Sequence, residues 1–461
     1  MIRNIKIIII TCFIFSVLFS FYTVKEFDKS YISYAKTTDH YLIKGDIDHY
    51  FKQAKSFEES MKNKKIFSNH EYVTSYLHPR IISLIYCLTN TKIEINSEIN
   101  NNILLTLKNT KFIFLFLQTL VYYFSIFFFS KCLNKKIHPK VLFILIIFLS
   151  IEPNLIQWNS SFFSESLFLS LLIILIGLLI NIDKSMIKNL FIGLLVGLMY
   201  LQKTVMLLIL LPILVYYLFQ FKIIKIALKA FVFVTIGKGI ILLFLGYDNY
   251  QRSGVFYLIP WQTKFSGYHY LVDNVVSKSD KITSYTAKEN RLLKEREWII
   301  SKNLNLEIEK DRRKLYDYQN KYFLNTIKNY PYQTLNYIFY KSAQTLILEP
   351  FGVYKFIKTD LTVPQYWKLA SFRSDLIFNV IYSFIIYFII FIGFLHSIKN
   401  IKLELIVLHF LLGIYFLFML GWVGVSRYSV PSLMCFGIFF ANGIFYLYKR
   451  FTNKINNYSL L

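Results

Sequence analysis

The chain has 461 residues, 55% of them hydrophobic and 19% aromatic, with a formal charge of +25 at pH 7. That apolar content excludes an ordinary soluble domain and places the chain among multi-pass membrane proteins. The positive charge does not mark a nucleic-acid partner, because the basic residues cluster between apolar runs, where they set membrane orientation. The four cysteines, Cys12, Cys87, Cys132 and Cys435, lack metal-ligand spacing, so neither a zinc site nor a disulfide framework is expected.

A membrane-crossing helix needs ~20 predominantly apolar residues. Runs that approach this length lie at 5–23, 111–131, 139–156, 162–181, 189–201, 204–219, 226–246, 374–396, 402–421 and 429–448. They predict an all-α polytopic membrane protein with about ten transmembrane helices. The first run resembles a signal peptide, and with so many spans behind it we read it as an uncleaved first helix. Leu77 to Asn90 is apolar but short, which fits a helix lying in the interface or re-entering it.

Alternating the spans from a cytoplasmic N-terminus puts Lys131, Lys135, Lys136, Lys140, Lys184, Lys188, Lys222, Lys225, Lys399, Lys402, Lys449, Arg450 and Lys454 on the cytoplasmic side. Both termini are then cytoplasmic, in a bacterial inner or plasma membrane. Two long hydrophilic segments, 24–110 and 247–373, fall on the exoplasmic side, with the helices of 374–461 closing a single membrane domain. The second segment carries an amphipathic run from Glu289 to Tyr340, predicted as helices lying along the membrane face.

The first exoplasmic segment contains Gly45-Asp46-Ile47-Asp48-His49-Tyr50 ahead of a short helical pattern. Asp46 and Asp48 fit a helix N-cap or a catalytic carboxylate equally well on spacing. Ionisable groups at the ends of apolar spans are costly, which makes them functional candidates. Glu152 and Glu165 bracket a short exoplasmic loop, Lys203 follows Gln202 in a tight turn, Arg252 follows the seventh span, and Arg427 precedes the last. Lys203 also fits a snorkelling lysine, and Arg427 an interfacial anchor beside Tyr428 and Trp422. Lys238, inside the seventh span, fits either snorkelling or an internal ion pair. Carboxylates and cations gathered on one side suit transfer of a group from a phosphate-bearing lipid: the acid deprotonates an acceptor hydroxyl, and the cations hold the departing phosphate.

The order of these features resembles the GT-C glycosyltransferases, the group that includes protein O-mannosyltransferases and the lipid A aminoarabinose transferase. Gly45-Asp46-x3-Tyr50-x3-Ala54 resembles the acidic motif of their first exoplasmic loop. Leu77-His78-Pro79-Arg80 resembles the start of the following membrane-lying helix, with His78 before the proline and Arg80 in place of a second one. Ser164-Glu165, Gly193-x3-Gly197-x5-Lys203, Asn249-Tyr250-x3-Gly254 and Arg427-Tyr428-x2-Pro431 are similar to later elements of that family.

The resemblance implies transfer of a sugar from a polyprenyl-phosphate donor to a glycolipid, glycan or protein acceptor on the exoplasmic face. Asp46 would be the general base, with Asp48 its substitute. Lys203, Arg252, Arg427, His78, Arg80, Glu165 and Tyr428 would line the substrate site. Some relatives use a divalent metal, for which Asp46, Asp48 and His49 are the candidates. A polysaccharide polymerase or ligase, which depends on late-loop arginines such as Arg312 and Arg313, is the alternative enzyme. A lipid or glycan transporter is the non-enzymatic one, and would show repeat symmetry and mid-membrane charge.

Overall fold

Leucine, isoleucine and phenylalanine runs without interior charge close their backbone hydrogen bonds within one segment, which a lipid environment demands, and each of the ten apolar runs forms helix. The structure, a computed structural model, describes residues 2–37, 50, 54, 76–89, 108–160, 164–254, 256–258, 268–306, 308–350, 373–421 and 429–458. Among them the regular structure is entirely helical.

The helices are α1 (Ile2–Thr37), α2 (Leu77–Leu88), α3 (Lys108–Leu133), α4 (Pro139–Ile151), α5 (Glu165–Ile180), α6 (Met186–Gln202), α7 (Leu210–Phe221) and α8 (Ile224–Ser253). Then follow α9 (Asp273–Ser279), α10 (Ser284–Ser301), α11 (Glu309–Asn329), α12 (Pro331–Thr345), α13 (Arg373–Asn400), α14 (Leu403–Gly421) and α15 (Val430–Tyr458).

Five segments are long and apolar enough to cross a membrane: Asn4–Tyr22, Phe112–Leu133, Ile224–Gln251, Ile377–Asn400 and Val430–Thr452. A sixth arises if α4 and the turns after it, bent by 49°, count as one broken span. Helices α5, α6, α7 and α14 are apolar but shorter. Helix α6, with 17 residues, rises only about 26 Å, a little less than the ~30 Å hydrocarbon core.

The bend after α4 has a local cause. Pro153 cannot continue a helix hydrogen-bond ladder, and Glu152 adopts an extended backbone there. Its carboxylate caps the next turn, accepting from Leu155 N at 2.9 Å and from Asn154 Nδ2 at 2.7 Å, while the Tyr382 hydroxyl donates to it at 2.7 Å. This acid therefore works as a helix cap.

Helices α6 and α8 approach until their backbones touch. A Cβ on Gly193 would lie 2.1 Å from the Val234 carbonyl oxygen, and one on Gly237 would lie 2.2 Å from that of Leu190. Only glycine permits this crossing, the small-residue packing by which helices associate where water provides no driving force.

The bundle has two chemically distinct ends. At one, Tyr216, Lys136 and Lys188 donate to the carbonyls of Leu179, Ile180 and Asn181 at the end of α5, and Lys140 lies over the Tyr448 ring. Cations at a helix C-terminus are favoured by its dipole. At the other end, Tyr76 N donates to Leu201 O at 3.0 Å, and Leu348 N donates to Ser383 Oγ at 2.8 Å. The basic loops thus gather opposite the termini that carry Glu165, Lys203 and Asp248.

The amphipathic run expected from Glu289 to Tyr340 resolves into α10, α11 and α12, separated by a turn through Asn303 at φ 46° and by Pro331 at the head of α12. These helices fold around a buried arginine. The Arg291 Nε donates to Asp273 Oδ1 at 2.6 Å and its Nη2 to Asp273 Oδ2 at 3.0 Å. Its Nη1 lies 3.9 Å from Glu295 Oε2, which also accepts from the Tyr268 hydroxyl at 2.8 Å and from Gln319 at 3.1 Å. The guanidinium packs 4.3 Å from the Tyr268 ring centroid. Burial alone would lower the arginine's proton affinity, but the Asp273 bonds and the Tyr268 contact outweigh it and hold the guanidinium above its ordinary value.

Candidate functional site

The short helix α2 lies with one face buried, through His78, Pro79, Ile82, Ile85 and Tyr86, while Leu84 and Leu88 remain exposed. The helix the apolar run predicted is therefore present, with one face packed on the bundle. Its first turn is sewn to the end of α6 by the Tyr76–Leu201 backbone bond, and this contact brings four distant parts of the chain together.

His78 is fully buried. Its ring meets Tyr50 edge-on at 4.7 Å and Phe114 at 5.5 Å. Its Nδ1 lies 3.5 Å from Gln202 Nε2, which also donates to Ser164 O at 3.1 Å. The Tyr50 hydroxyl donates to Ser164 Oγ at 3.3 Å. Tyr50 and Ala54, the two described residues of the acidic motif, are both buried in the cluster formed with Ile82, Tyr86 and Phe114.

Two ion pairs flank this aromatic centre. Lys203 donates to Glu165 Oε1 at 2.8 Å, joining the end of α6 to the start of α5. Arg80 reaches Asp248 Oδ2, near the end of α8, at 3.3 Å. The same Asp248 oxygen accepts from the Tyr76 hydroxyl at 2.6 Å. The Arg80 Nη1 donates to Tyr76 O at 3.0 Å, and its guanidinium lies 3.3 Å from the Tyr76 ring centroid. The carboxylates are the more withdrawn partners: Glu165 and Asp248 side chains are 6% and 4% exposed, against 16% for Lys203 and 21% for Arg80. The acids therefore orient the cations, whose side chains keep some exposure.

Lys203 owes its placement to a break in the chain. It has an extended backbone between α6 and the 3₁₀ turn Thr204–Leu208, a stretch whose carbonyls would otherwise lack partners. Lys238 of α8 donates to Met206 O at 3.2 Å and to Leu207 O at 2.6 Å, and the Tyr415 hydroxyl donates to Val205 O. Lys238 is thus neither snorkelling nor salt-bridged among the described groups; it caps an interrupted helix.

Of the residues singled out from sequence, His78, Arg80, Glu165 and Lys203 converge here. Arg252 lies one turn beyond Asp248 on α8, with its side chain outside the described residues, and so do Asp46, Asp48, Arg427 and Tyr428 as whole residues. Among the described residues no group of three His, Cys, Asp or Glu could hold a metal.

Sequence reasoning missed Asp248, although an acid at the end of the seventh span is as costly as the bases that were noticed. It also missed Tyr76, which carries no signal among 35 tyrosines, and noted Gln202 only for its place beside Lys203 in the tight turn. Chemically, the arrangement offers two oriented cations beside a buried imidazole at the edge of an apolar bundle. No protein-family model matches the chain, nor does any curated protein or solved structure.

Proposed function

We propose that the protein is a membrane glycosyltransferase that moves a sugar from a polyprenyl-phosphate donor to an acceptor hydroxyl on the exoplasmic face. One observation carries this reading. His78, Arg80, Glu165 and Lys203, each picked out by resemblance to glycosyltransferase motifs, come from three separate stretches of sequence and meet in a single cluster.

In this mechanism Asp46 takes the proton of the acceptor hydroxyl. The acceptor oxygen bonds to the anomeric carbon as the bond from that carbon to the phosphate oxygen breaks, and polyprenyl phosphate departs. Lys203 and Arg80, with Arg252 and Arg427, neutralise the charge growing on that phosphate. Asp46 precedes Tyr50 by four residues, a tether of at most about 14 Å, and Tyr50 packs on His78. The apolar grooves of the ten-span bundle take the isoprenoid chain. The clustering of Lys136, Lys140 and Lys188 at the opposite end supports placing that end, and both termini, in the cytoplasm.

The Asp46→Asn variant is expected to insert and fold normally and to transfer no sugar. Full transfer by both Asp46→Asn and Asp48→Asn would overturn the assignment. Mass spectrometry of envelope glycolipids and glycans from cells with and without the gene reads the sugar and the acceptor together, as a missing hexose, pentose or amino-sugar increment.

A further inference from the structure

At the basic end of the bundle, far from the cluster just described, a cavity of about 610 Å³ opens between α7 and α14. Its lining is Leu218, Phe219, Lys222, Lys402, Leu403 and Glu404. The volume falls in the range of small-ligand sites, roughly 300–1,000 Å³. Three of the six side chains are apolar and partly exposed toward the outside of the bundle, with Phe219 at 44% and Leu403 at 59%. The other three bring two positive charges and one negative.

Three features single this cavity out. Lys222 ends α7 in the left-handed conformation, φ 58°, where glycine is the unstrained choice. A lysine there costs backbone energy and places an ammonium at the cavity wall. The surroundings add positive potential: the Lys136 ammonium is held below its ordinary lysine value by burial first, then by the charges of Lys402 and Lys188. Lys136 and Lys188 are turned inward to the carbonyls at the end of α5, so Lys222 and Lys402 are the cations that face the cavity. Finally, apolar wall and charged floor lie side by side at a helix end, the layout of a membrane–water boundary.

We propose that this cavity binds a phospholipid headgroup, its phosphodiester between Lys222 and Lys402, a hydrogen-bond-donating headgroup group on Glu404, and its first chain carbons on Leu218, Phe219 and Leu403. Two ammonium groups with apolar walls match a phosphodiester attached to acyl chains better than a free anion, and basic pockets between helices recognise lipid headgroups in this way. Glu404 sets the selectivity. Glycerol hydroxyls and a primary ammonium donate to a carboxylate, whereas the quaternary ammonium of choline has no hydrogen to donate. The site therefore takes phosphatidylglycerol and phosphatidylethanolamine over phosphatidylcholine. The proposal is independent of the transfer reaction.

The test uses the full-length protein reconstituted with an equimolar mixture of the three lipids, and native mass spectrometry reads the retained adducts. Phosphatidylglycerol and phosphatidylethanolamine are expected to exceed phosphatidylcholine by about tenfold or more, the discrimination that a hydrogen bond to a charged acceptor gives. Lys222→Gly combined with Lys402→Gln should remove the adducts of all three lipids. Glycine suits the left-handed backbone at 222, so an unchanged melting temperature verifies the fold of that variant. Glu404→Ala should keep lipid adducts and level the preference. Equal retention of the three lipids by the wild type, or undiminished adducts in the double variant, would overturn the proposal. Displacement of the lipids by millimolar inorganic phosphate would overturn it too, by assigning the lysines to a free anion.

Discussion

The Arg291 cluster of the polar helices and the Arg80–Lys203 cluster at one end of the apolar bundle both withdraw charge from water, yet they are built differently. Asp273 and Arg291 stand 18 residues apart in sequence, and the arginine is 2% exposed with two carboxylates and an aromatic ring around it. Every charge there is consumed in holding α9, α10 and α11 together. In the second cluster the pairs are long-range: Glu165–Lys203 spans 38 residues and Arg80–Asp248 spans 168. There the acids are buried and the cations stay partly open. Degree of burial on the cationic partner, rather than the presence of a salt bridge, is what separates the two clusters. The cost of desolvating an ion falls on both partners in the first cluster and mainly on the acid in the second.

The sharpest way to break this contrast is Arg291→Met. It leaves the buried Asp273 and the part-buried Glu295 without their cation and should cost about 3–5 kcal/mol, the usual penalty for orphaning a buried charge. Thermal unfolding of the purified protein reads it, and a loss below about 1 kcal/mol, the level of a surface pair, would show that the cluster is not structural. Lys203→Gln should reverse the balance, lowering sugar transfer by about 10²–10³-fold, as removal of a transition-state charge stabiliser does, with a smaller shift in melting than Arg291→Met. A melting loss as large as that of Arg291→Met, with activity falling only in proportion to folded protein, would erase the distinction. The smallest effect is expected of Arg80→Lys. It keeps the charge but loses the fork and the stacking on Tyr76, so transfer should fall about fivefold, equivalent to roughly 1 kcal/mol; an unchanged rate would remove Arg80 from the phosphate site.

The helical class and the longest apolar helices were legible because lipid forces apolar residues into long uninterrupted runs, as in Phe112–Leu133 and Val430–Thr452, while the other expected spans formed helices too short to meet that length. The interruptions were less so. The Glu152 cap is local, bonded to Leu155 N three residues on, but apolar periodicity carries no signal for a cap; that Lys238 supplies hydrogens to the 3₁₀ turn depends on partners more than 30 residues away. The same limit applied to the site. Costly charges at span ends pointed to Glu165 and Lys203, and motif order pointed to His78 and Arg80. Asp248 went unnoticed beside the more conspicuous Arg252, since its significance lies in a partner 168 residues away.

The crossing of α6 and α8 has a mechanical consequence. With Gly193 and Gly237 in backbone contact, neither helix can slide or roll past the other without collision. Lys203 at the end of α6 and Asp248 near the end of α8 therefore belong to one stiff jaw. Against it sits α2, a twelve-residue helix joined to α6 through the Tyr76–Leu201 backbone bond and the His78–Gln202 contact, and to α8 through the bonds of Tyr76 and Arg80 to Asp248. A change as small as one methyl group at Gly193 or Gly237 would drive the two backbones apart and so shift Lys203 and Asp248, and the α2 contacts built on them, relative to one another.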